Sequence, residues 1–520
     1  MDSLVILIPL LPFGAAAIMG LGILFGWLAG EDKEGVTSGI ALWAVTMSCL
    51  LALTLCAADM LGMNRGTFNL GTWLQSDTLR ISFNFSTHGI GPRLAALFGT
   101  LQAIVLRFSV NYLHKEAGFH RFFFVLTLFT GAMHWLVLAG NAAATFMGWE
   151  IAGLCSYLLI AYAHDRPAAA ANATRVFVTS RVGDAAFVIG IGLSYAFAES
   201  VDWTRLNALA AQLPSGEAAG IATCFAVAAF VKSAQVPFTP WLLRALEGPT
   251  PSSAVFYGSV MVHAGIFLVC LLEPLFEASP FAMGLLIVAG GVTAVHGYLL
   301  GLTQTDIKTS LVTAVSVQLG LMFFECGLGL WRLAEWHLCA HAVVRAYQLL
   351  SAPSLLHNIH GTPVKPVGPV LAKKYWLYTA SLQRFWLDSL TDCLLVRPIG
   401  RLSHDLRYFD DSIIDPLLGS PAPAINAISS LAQYEEQKIG ARLDNDSEQF
   451  AQGSGLAGKL AEWTAALIHG LESRLMLRGY GKSVSDFGRR LGRSANRFEA
   501  YILRPRYLVL FVFVTLLVAF

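Results

Sequence analysis

Apolar blocks long enough to cross a bilayer recur along this 520-residue chain, at about 3–28, 38–62, 94–113, 122–140, 142–163, 174–198, 220–245, 252–275, 281–303, 308–328 and 333–352. A last one runs from Tyr507 to Phe520. A hydrocarbon core needs roughly 20 such residues per helix. Lipid offers a backbone N–H no partner, so each block must satisfy its own backbone, which an α-helix does. The sequence therefore predicts an all-α polytopic membrane protein with about 12–13 transmembrane helices. Composition agrees: 55% of residues are hydrophobic and 13% charged, where a soluble domain carries about 25% charge. The first block has no basic start and no small-residue cleavage site, and reads as a retained helix rather than a signal peptide.

Several classes of function drop out. A net charge of +1 gives no global field for nucleic acid. The eight cysteines (Cys49, Cys56, Cys155, Cys224, Cys270, Cys326, Cys339 and Cys393) are scattered without zinc or iron–sulfur spacing and read as small core hydrophobes. Neither a GxGxxG fingerprint in a strand–helix setting nor a Walker loop is present, so nucleotide chemistry has no support. No cofactor is expected in this chain.

Between the second and third blocks, GTFNLGTWLQSDTLRISFNFS alternates apolar and polar residues, the pattern of a short extracytoplasmic hairpin. With the N-terminus outside, Lys33, Lys115, Arg121, Arg166, Arg244 and Lys308 share the cytoplasmic side, against Arg65, Arg80, Arg205 and Arg332 on the other. After about residue 357 the chain turns mixed in character. Leu460, Trp463, Leu467, Leu471 and Leu475 repeat at helical spacing, and Arg474 to Arg506 is strongly basic. That region reads equally as an anchor on an anionic leaflet or as a partner-docking surface.

Ionisable groups inside spanning helices are costly and need a partner, water or a function. Glu150 sits in TFMGWEIAGLCSYLLI, and Lys232 lies midway along the block AVAAFVKSAQVPFTPWLL. Pro237 and Pro240 follow, each lacking a backbone donor, so this helix is expected to break. A buried charge beside a broken helix recurs at ion-translocation sites. Arg181 and Asp184 stand three apart and can pair on one face. That pair either tunes Glu150 and Lys232 or merely neutralises itself. His337, His341 and Arg345 follow i, i+4, i+8 spacing along one helix stripe. Imidazoles there suit proton relay, with packing as the competing reading. Glu150 and Lys232 could likewise form a structural bridge. His134, His263 and His296 also lie in apolar blocks, and His134 and His296 read as structural.

The strings GWEIAGLCSYLLI, SRVGDAAF, KSAQVPFTPWL, EGPTPSSA, QTDIKTSL and HLCAHAVVRAYQLL occur in this order. Together they resemble the proton-conducting membrane transporter family, which includes the complex I subunit NuoL and the Mrp antiporter subunits. The resemblance is close over about residues 70–352. It implies that Glu150 and Lys232 are the central carboxylate–lysine pair of a half-channel, with Asp184 and Arg181 the neighbouring charged pair. His337, His341 and Arg345 would lie on the helix connecting half-channels. Arginine replaces the family's lysine at 345, which makes that charge fixed. Tyr257 stands where the family has histidine, and His263 stands six residues on. In a regular α-helix that is about 600°, some 120° off the original face, so His263 is not expected simply to inherit the role.

The implied division is residues 1–121 as N-terminal helices with the hairpin, 122–275 as the first antiporter-like repeat and 276–356 as a truncated second repeat. Residues 357–506 form a polar, amphipathic region and 507–520 a C-terminal span. No second lysine-bearing broken helix precedes the polar stretch at 358–380. This shortened pattern resembles the DabB branch, the membrane half of a two-component inorganic-carbon transporter in the bacterial inner membrane. The resemblance implies a DabA-like partner related to carbonic anhydrase that carries the zinc. Downhill flow of protons, with sodium as the alternative ion, would drive CO2 hydration in that partner. Two other readings stand beside it: a subunit of a complex I-like or Mrp-type Na+/H+ antiporter complex, and a scaffold anchored by the basic 470–506 region.

Overall fold

The structure is a computed structural model describing residues 2–63, 66–76, 79–358 and 373–409. The expected amphipathic helix at 460–475, the basic stretch and the C-terminal span lie outside the described residues. Up to Leu395 the described chain packs as one unit. Helix Arg397–Phe409 belongs to a second unit, with Ile399, Leu402, Leu406 and Phe409 at helical spacing.

Two helices, α1 (Leu7–Leu24) and α2 (Glu34–Met60), lead into an antiparallel hairpin of β1 (Thr67–Ser76) and β2 (Leu79–Ser86). Then follow α3 (Ile90–Tyr112), α4 (Phe119–Leu138), α5 (Ala142–Ile160), α6 (Pro167–Ala198), the short α7 (Trp203–Leu209) and α8 (Ser215–Lys232). After a break come α9 (Pro240–Arg244), α10 (Thr250–Ser253), α11 (Ala264–Leu271) and α12 (Glu273–Glu277). Helices α13 (Pro280–Gly301), α14 (Ile307–Gly327) and α15 (Trp331–Asn358) complete the bundle, and short helices Tyr375–Leu382 and Leu387–Thr391 return against it.

Ten helical stretches among the described residues are long and apolar enough to span a membrane, and they match the first ten expected blocks. This is a multi-pass membrane protein. The eleventh block is helical as α15 but less apolar, because Arg332, Glu335, His337, His341 and Arg345 all ride on it. Helix α4 and the stretch Thr250–Leu271 are the most enclosed, each 94% buried, whereas α2, α6 and α13 are 39% buried. The outer helices turn Trp43, Val188, Ile189, Val288 and Val295 outward. Large apolar side chains on an outer face suit a lipid environment.

The two ends of the bundle differ in chemistry. At one end, Glu34 accepts from the Lys115 backbone N–H at 3.0 Å and pairs with His114 at 2.7 Å. Nearby, Arg121 reaches His164, Arg166 pairs with Glu247, and Lys308 donates to Thr250. The basic residues assigned from loop charge to one side therefore do gather at one end. At the other end Asn141 caps α5 through Ala144 N–H at 2.8 Å and donates to Ser82 O of the hairpin at 2.7 Å.

Two expectations about helix regularity fail. Lys232 is the last residue of α8, not the middle of a longer helix, because the chain leaves helical geometry at Ser233, before either proline. The stretch 252–275 is not one regular α-helix. Residues Ala254–Ser259 form a π turn, Val260 sits at φ −126°, ψ −67°, and Met261–His263 is a 3₁₀ turn. Such irregular turns are frequent at functional sites.

Glycines set the α13–α14 crossing. A Cβ on Gly290 would lie 2.5 Å from Gly320 O, and one on Gly320 would lie 2.6 Å from Gly290 O. Small residues allow this backbone approach in membranes. Gly290→Ala and Gly320→Ala are each expected to cost about 1–3 kcal/mol through overpacking. Gly291→Ala, whose Cβ would meet only the Phe324 ring at 3.6 Å, should be tolerated. Thermal unfolding followed by tryptophan fluorescence in detergent checks the contrast, and equal midpoints for all three would contradict the crossing.

Candidate functional site

The break after Lys232 begins from backbone accounting. A helix that stops inside a bilayer leaves its last carbonyls without donors. Here Val231 O accepts from Trp241 Nε1 at 2.8 Å, and Ser233 O from Gln235 Nε2 at 2.9 Å. Beyond the break, Val236 N–H donates to Thr293 Oγ1 of α13 at 2.9 Å. The Val236–Pro237 peptide is cis, and Ala234 sits in the left-handed region at φ 51°. Pro240 opens α9, where its missing N–H costs nothing.

Lys232 thus lies at the C-terminal end of α8, where exposed carbonyls favour a cation. It is 5% exposed and donates to Trp149 O at 2.9 Å, with its ammonium 4.6 Å from the Trp149 ring centre. The implied Glu150–Lys232 pair is not a direct ion pair. Arg181 takes that place instead, reaching Glu150 Oε2 at 2.7 Å through Nη1 and Asp184 Oδ2 at 2.8 Å through Nη2. Trp149 Nε1 donates to Asp184 Oδ1 at 2.9 Å. Its indole and carbonyl therefore link Asp184 to Lys232. A Cβ on Gly153 would stand 3.6 Å from Lys232 Nζ and 3.8 Å from Arg181 Nη2. The four charges gather on α5, α6 and α8 as two carboxylates and two cations.

A second cluster lies on α14, α15 and the irregular turn before α11. Glu325 accepts from His337 Nδ1 at 3.0 Å, and His337 Nε2 is 2.8 Å from Gln318 Oε1. The rings of His337 and His341 are 6.3 Å apart. Arg345 Nε donates to His341 Nε2 at 3.3 Å. A neutral His341 then carries its proton on Nδ1, which lies 2.9 Å from His263 Nε2.

His263 faces the histidine stripe and Tyr257 does not, so the two lie on different faces. The π and 3₁₀ turns between residues 254 and 263 replace the regular 100° step. Tyr257 is also fully buried, but its hydroxyl donates to Ala245 O, and it has no contact with the stripe among the described hydrogen bonds. The two clusters adjoin, because Ser233 Oγ, next to Lys232, donates to Val262 O, next to His263, at 2.6 Å.

Sequence reasoning missed Glu325, Gln318 and Trp149. The sign for Glu325 was present: an acid in an apolar helix, twelve residues before His337 across a tight helix–helix turn. Of the two histidines read as structural, His134 is so. Its Nδ1 is 2.9 Å from Ser48 Oγ and its Nε2 is 3.2 Å from Ala95 O, tying α2, α3 and α4 together. His296 differs in standing against the Arg384 backbone and the Phe385 ring.

Arg181→Met leaves two carboxylates facing one another without their guanidinium. Breaking a fully buried pair costs about 3–5 kcal/mol. Arg181 is 36% exposed, so a loss of about 1–3 kcal/mol is expected after solvent screening. Adding Glu150→Gln should restore part of it, by removing one uncompensated charge. A double-mutant cycle in thermal stability checks this, and strictly additive effects would contradict the pairing.

Residues 139–365 match the family model described as NADH:quinone oxidoreductase/Mrp antiporter, TM. NADH-quinone oxidoreductase subunit L of Rhodobacter capsulatus is 35% identical over 379 residues, 69% of this chain and 51% of that protein. The chloroplastic NAD(P)H-quinone oxidoreductase subunit 5 of Nephroselmis olivacea is 33% identical over 370 residues, 70% of this chain and 57% of that protein. The chain spans about half the length of the curated relatives it matches. Among solved structures, an Mrp complex from Dietzia sp. DQ12-45-1b superposes with a TM-score of 0.59 at 26% identity, covering 68% of this chain and 38% of that one. A chain of the archaeal membrane-bound sulfane sulfur reductase shares the fold at 19% identity and a TM-score of 0.57, over 69% of this chain and 57% of that one. Through residues 139–365 the chain is a homologue of the antiporter-like membrane subunits of the NADH:quinone oxidoreductase/Mrp family.

Proposed function

We propose that this chain conducts cations, with the proton as the first assignment and sodium as the alternative, and so energises inorganic-carbon accumulation by a zinc-bearing, carbonic-anhydrase-like partner. The observation that carries the reading is the placing of buried Lys232, at the end of a helix broken inside the bundle, beside a carboxylate–guanidinium–carboxylate cluster. A scaffold has no use for such charges, each costing a few kcal/mol in lipid. The imidazoles of His263, His341 and His337 continue from the break toward Glu325, and neutral imidazole gains and loses protons readily. In this reading Glu150, Asp184 and Arg181 set the field around Lys232, and the three histidines carry the proton onward. Arg345 holds a fixed charge beside them.

The narrower assignment, a carbon-accumulating pair in the inner membrane of a bacterium, rests on the shortened pattern. The polar stretch at 358–380 stands where a second lysine-bearing broken helix would follow, so the path is completed at the partner. The chemistry on CO2 belongs to that partner and its zinc. The relatives favour a second reading, since those that match are subunits of quinone oxidoreductases and an Mrp complex. In that reading the chain is one subunit of a larger redox-driven or Na+/H+ antiporter complex.

Affinity purification from native membranes separates the two. One large zinc-bearing partner is the expected result, and several antiporter-like subunits without zinc would favour the second reading. The double replacement Glu150→Gln with Lys232→Met removes one charge of each sign. In proteoliposomes holding the whole complex it is expected to abolish ion flux while assembly persists. Unchanged flux would sink conduction by this chain.

A further inference from the structure

Helix α15 turns Leu333, Trp336, Ala340, Val343, Val344 and Tyr347 outward, along one side at helical spacing. All six are exposed, Trp336 at 76% and Tyr347 at 72%. The outer face of α13 is aliphatic by comparison, with Val288, Val292 and Val295 exposed. On α15 a tryptophan and a tyrosine lead the face, residue types enriched where proteins meet. Ala340 lies between them, and a small residue there lets a second helix approach closely.

Charge gives the face a direction. Arg345 stands midway along α15 and is half-buried, next to the exposed Val344. Its guanidinium donates to His341 Nε2 at 3.3 Å and to Gln348 Oε1 at 2.7 Å. Among the described residues no carboxylate lies within ion-pair distance of it, whereas Arg175, Arg181 and Arg244 each have one. Gln348, His337 and Gln318 are likewise half-buried and continue the polar edge along the seam between α14 and α15. A guanidinium keeps its charge, and a charge at this depth beside lipid is costly without a counter-charge. The seam therefore holds a cation that lacks an acid, bordered by an apolar face wide enough for a helix.

We propose that the outer face of α15 docks a membrane-spanning helix of the partner subunit, and that this helix carries a carboxylate that pairs with Arg345. Charge separates this occupant from the others. Lipid tails supply no anion at mid-depth. The chain's own last apolar run, Tyr507 to Phe520, holds no acid and follows two arginines, Arg504 and Arg506. A second copy, related by a two-fold axis along the membrane normal, would set its own Arg345 at the same depth, cation toward cation. The inference rests on the assembly with a partner in the reading above, and not on conduction by this chain.

Two experiments on the full chain in its native membranes test it. In the first, the photo-crosslinking residue p-benzoylphenylalanine replaces Tyr347 or, as a reference, the exposed Val295 of α13. Irradiation products are mapped by peptide mass spectrometry. Position 347 is expected to link to another chain, within an apolar run of roughly 20 residues that contains an Asp or Glu. Lipid adducts alone, a link within this chain or to a second copy of it, a run without an acid, or equal yields at 347 and 295 would each overturn the docking. In the second, Arg345→Glu sets acid against acid, so the partner recovered on affinity purification should fall at least about tenfold. Replacing the cross-linked acid by arginine should then restore recovery with Arg345→Glu, which a misfolded variant could not show. Unchanged recovery in Arg345→Glu, or no restoration by the reversed pair, would overturn the pairing. Failure of the carbon-accumulation reading shows separately, as a link at 347 to an antiporter-like subunit, with the docking upheld. Failure of conduction shows as unchanged flux in the Glu150→Gln, Lys232→Met variant, which leaves the cross-link untouched.

Discussion

The architecture depends on how the chain tolerates a helix that ends inside the bundle. A free carbonyl in hydrocarbon costs several kcal/mol, so the stop after Lys232 requires donors brought from elsewhere. Trp241 from α9 and Gln235 from the break itself supply them, and Thr293 from α13 accepts the N–H of Val236. Those three partners draw α9, α13 and the break into one compact centre. The lysine is then held at the negative end of α8 by backbone dipoles, the Trp149 carbonyl and the Trp149 ring face. Once the backbone is satisfied by side chains, the interior beside the break is polar enough to hold charge.

Charge balance explains why three helices converge there. Glu150 on α5, Arg181 and Asp184 on α6, and Lys232 on α8 are two acids and two bases in one region. The arginine takes both carboxylates, and the lysine is left with a carbonyl and a ring face. The planar guanidinium of Arg181 suits two carboxylates at once, which an ammonium cannot match in geometry. Trp149 couples the two halves through opposite edges of one residue. Gly153 keeps side-chain bulk out from between the two cations.

Much of this was legible because lipid makes charge conspicuous. Glu150, Lys232, Arg181 and Asp184 stood out against apolar sequence, and their order marked the family. The helices were legible for the same reason: runs of about 20 apolar residues admit few alternatives. Pairing was not. Spacing shows which residues share a face of one helix, as it did for Arg181 with Asp184 and for His337 with His341. It does not show which helix faces which. So Arg181 taking Glu150 from Lys232, and Glu325 meeting His337, needed the packing. That His263, and not Tyr257, meets the histidine stripe also needed the packing, because the π and 3₁₀ turns between them break the regular 100° step. Local geometry there is set by the tertiary fit of the turn against α15.

In the proposed conduction, that irregular stretch also shapes where a proton can go. A guanidinium donates hydrogen bonds and accepts none, so Arg345 ends any chain of transfers that reaches it. The Arg345 contact fixes His341 Nε2 as an acceptor and turns its Nδ1 proton toward His263. The π and 3₁₀ turns set His263 against His341, next to Val262, whose carbonyl accepts from Ser233 beside Lys232. With a fixed cation at residue 345 and tyrosine at residue 257, the displaced histidine and the irregular helix make sense only together. Each compensates for what the other would break.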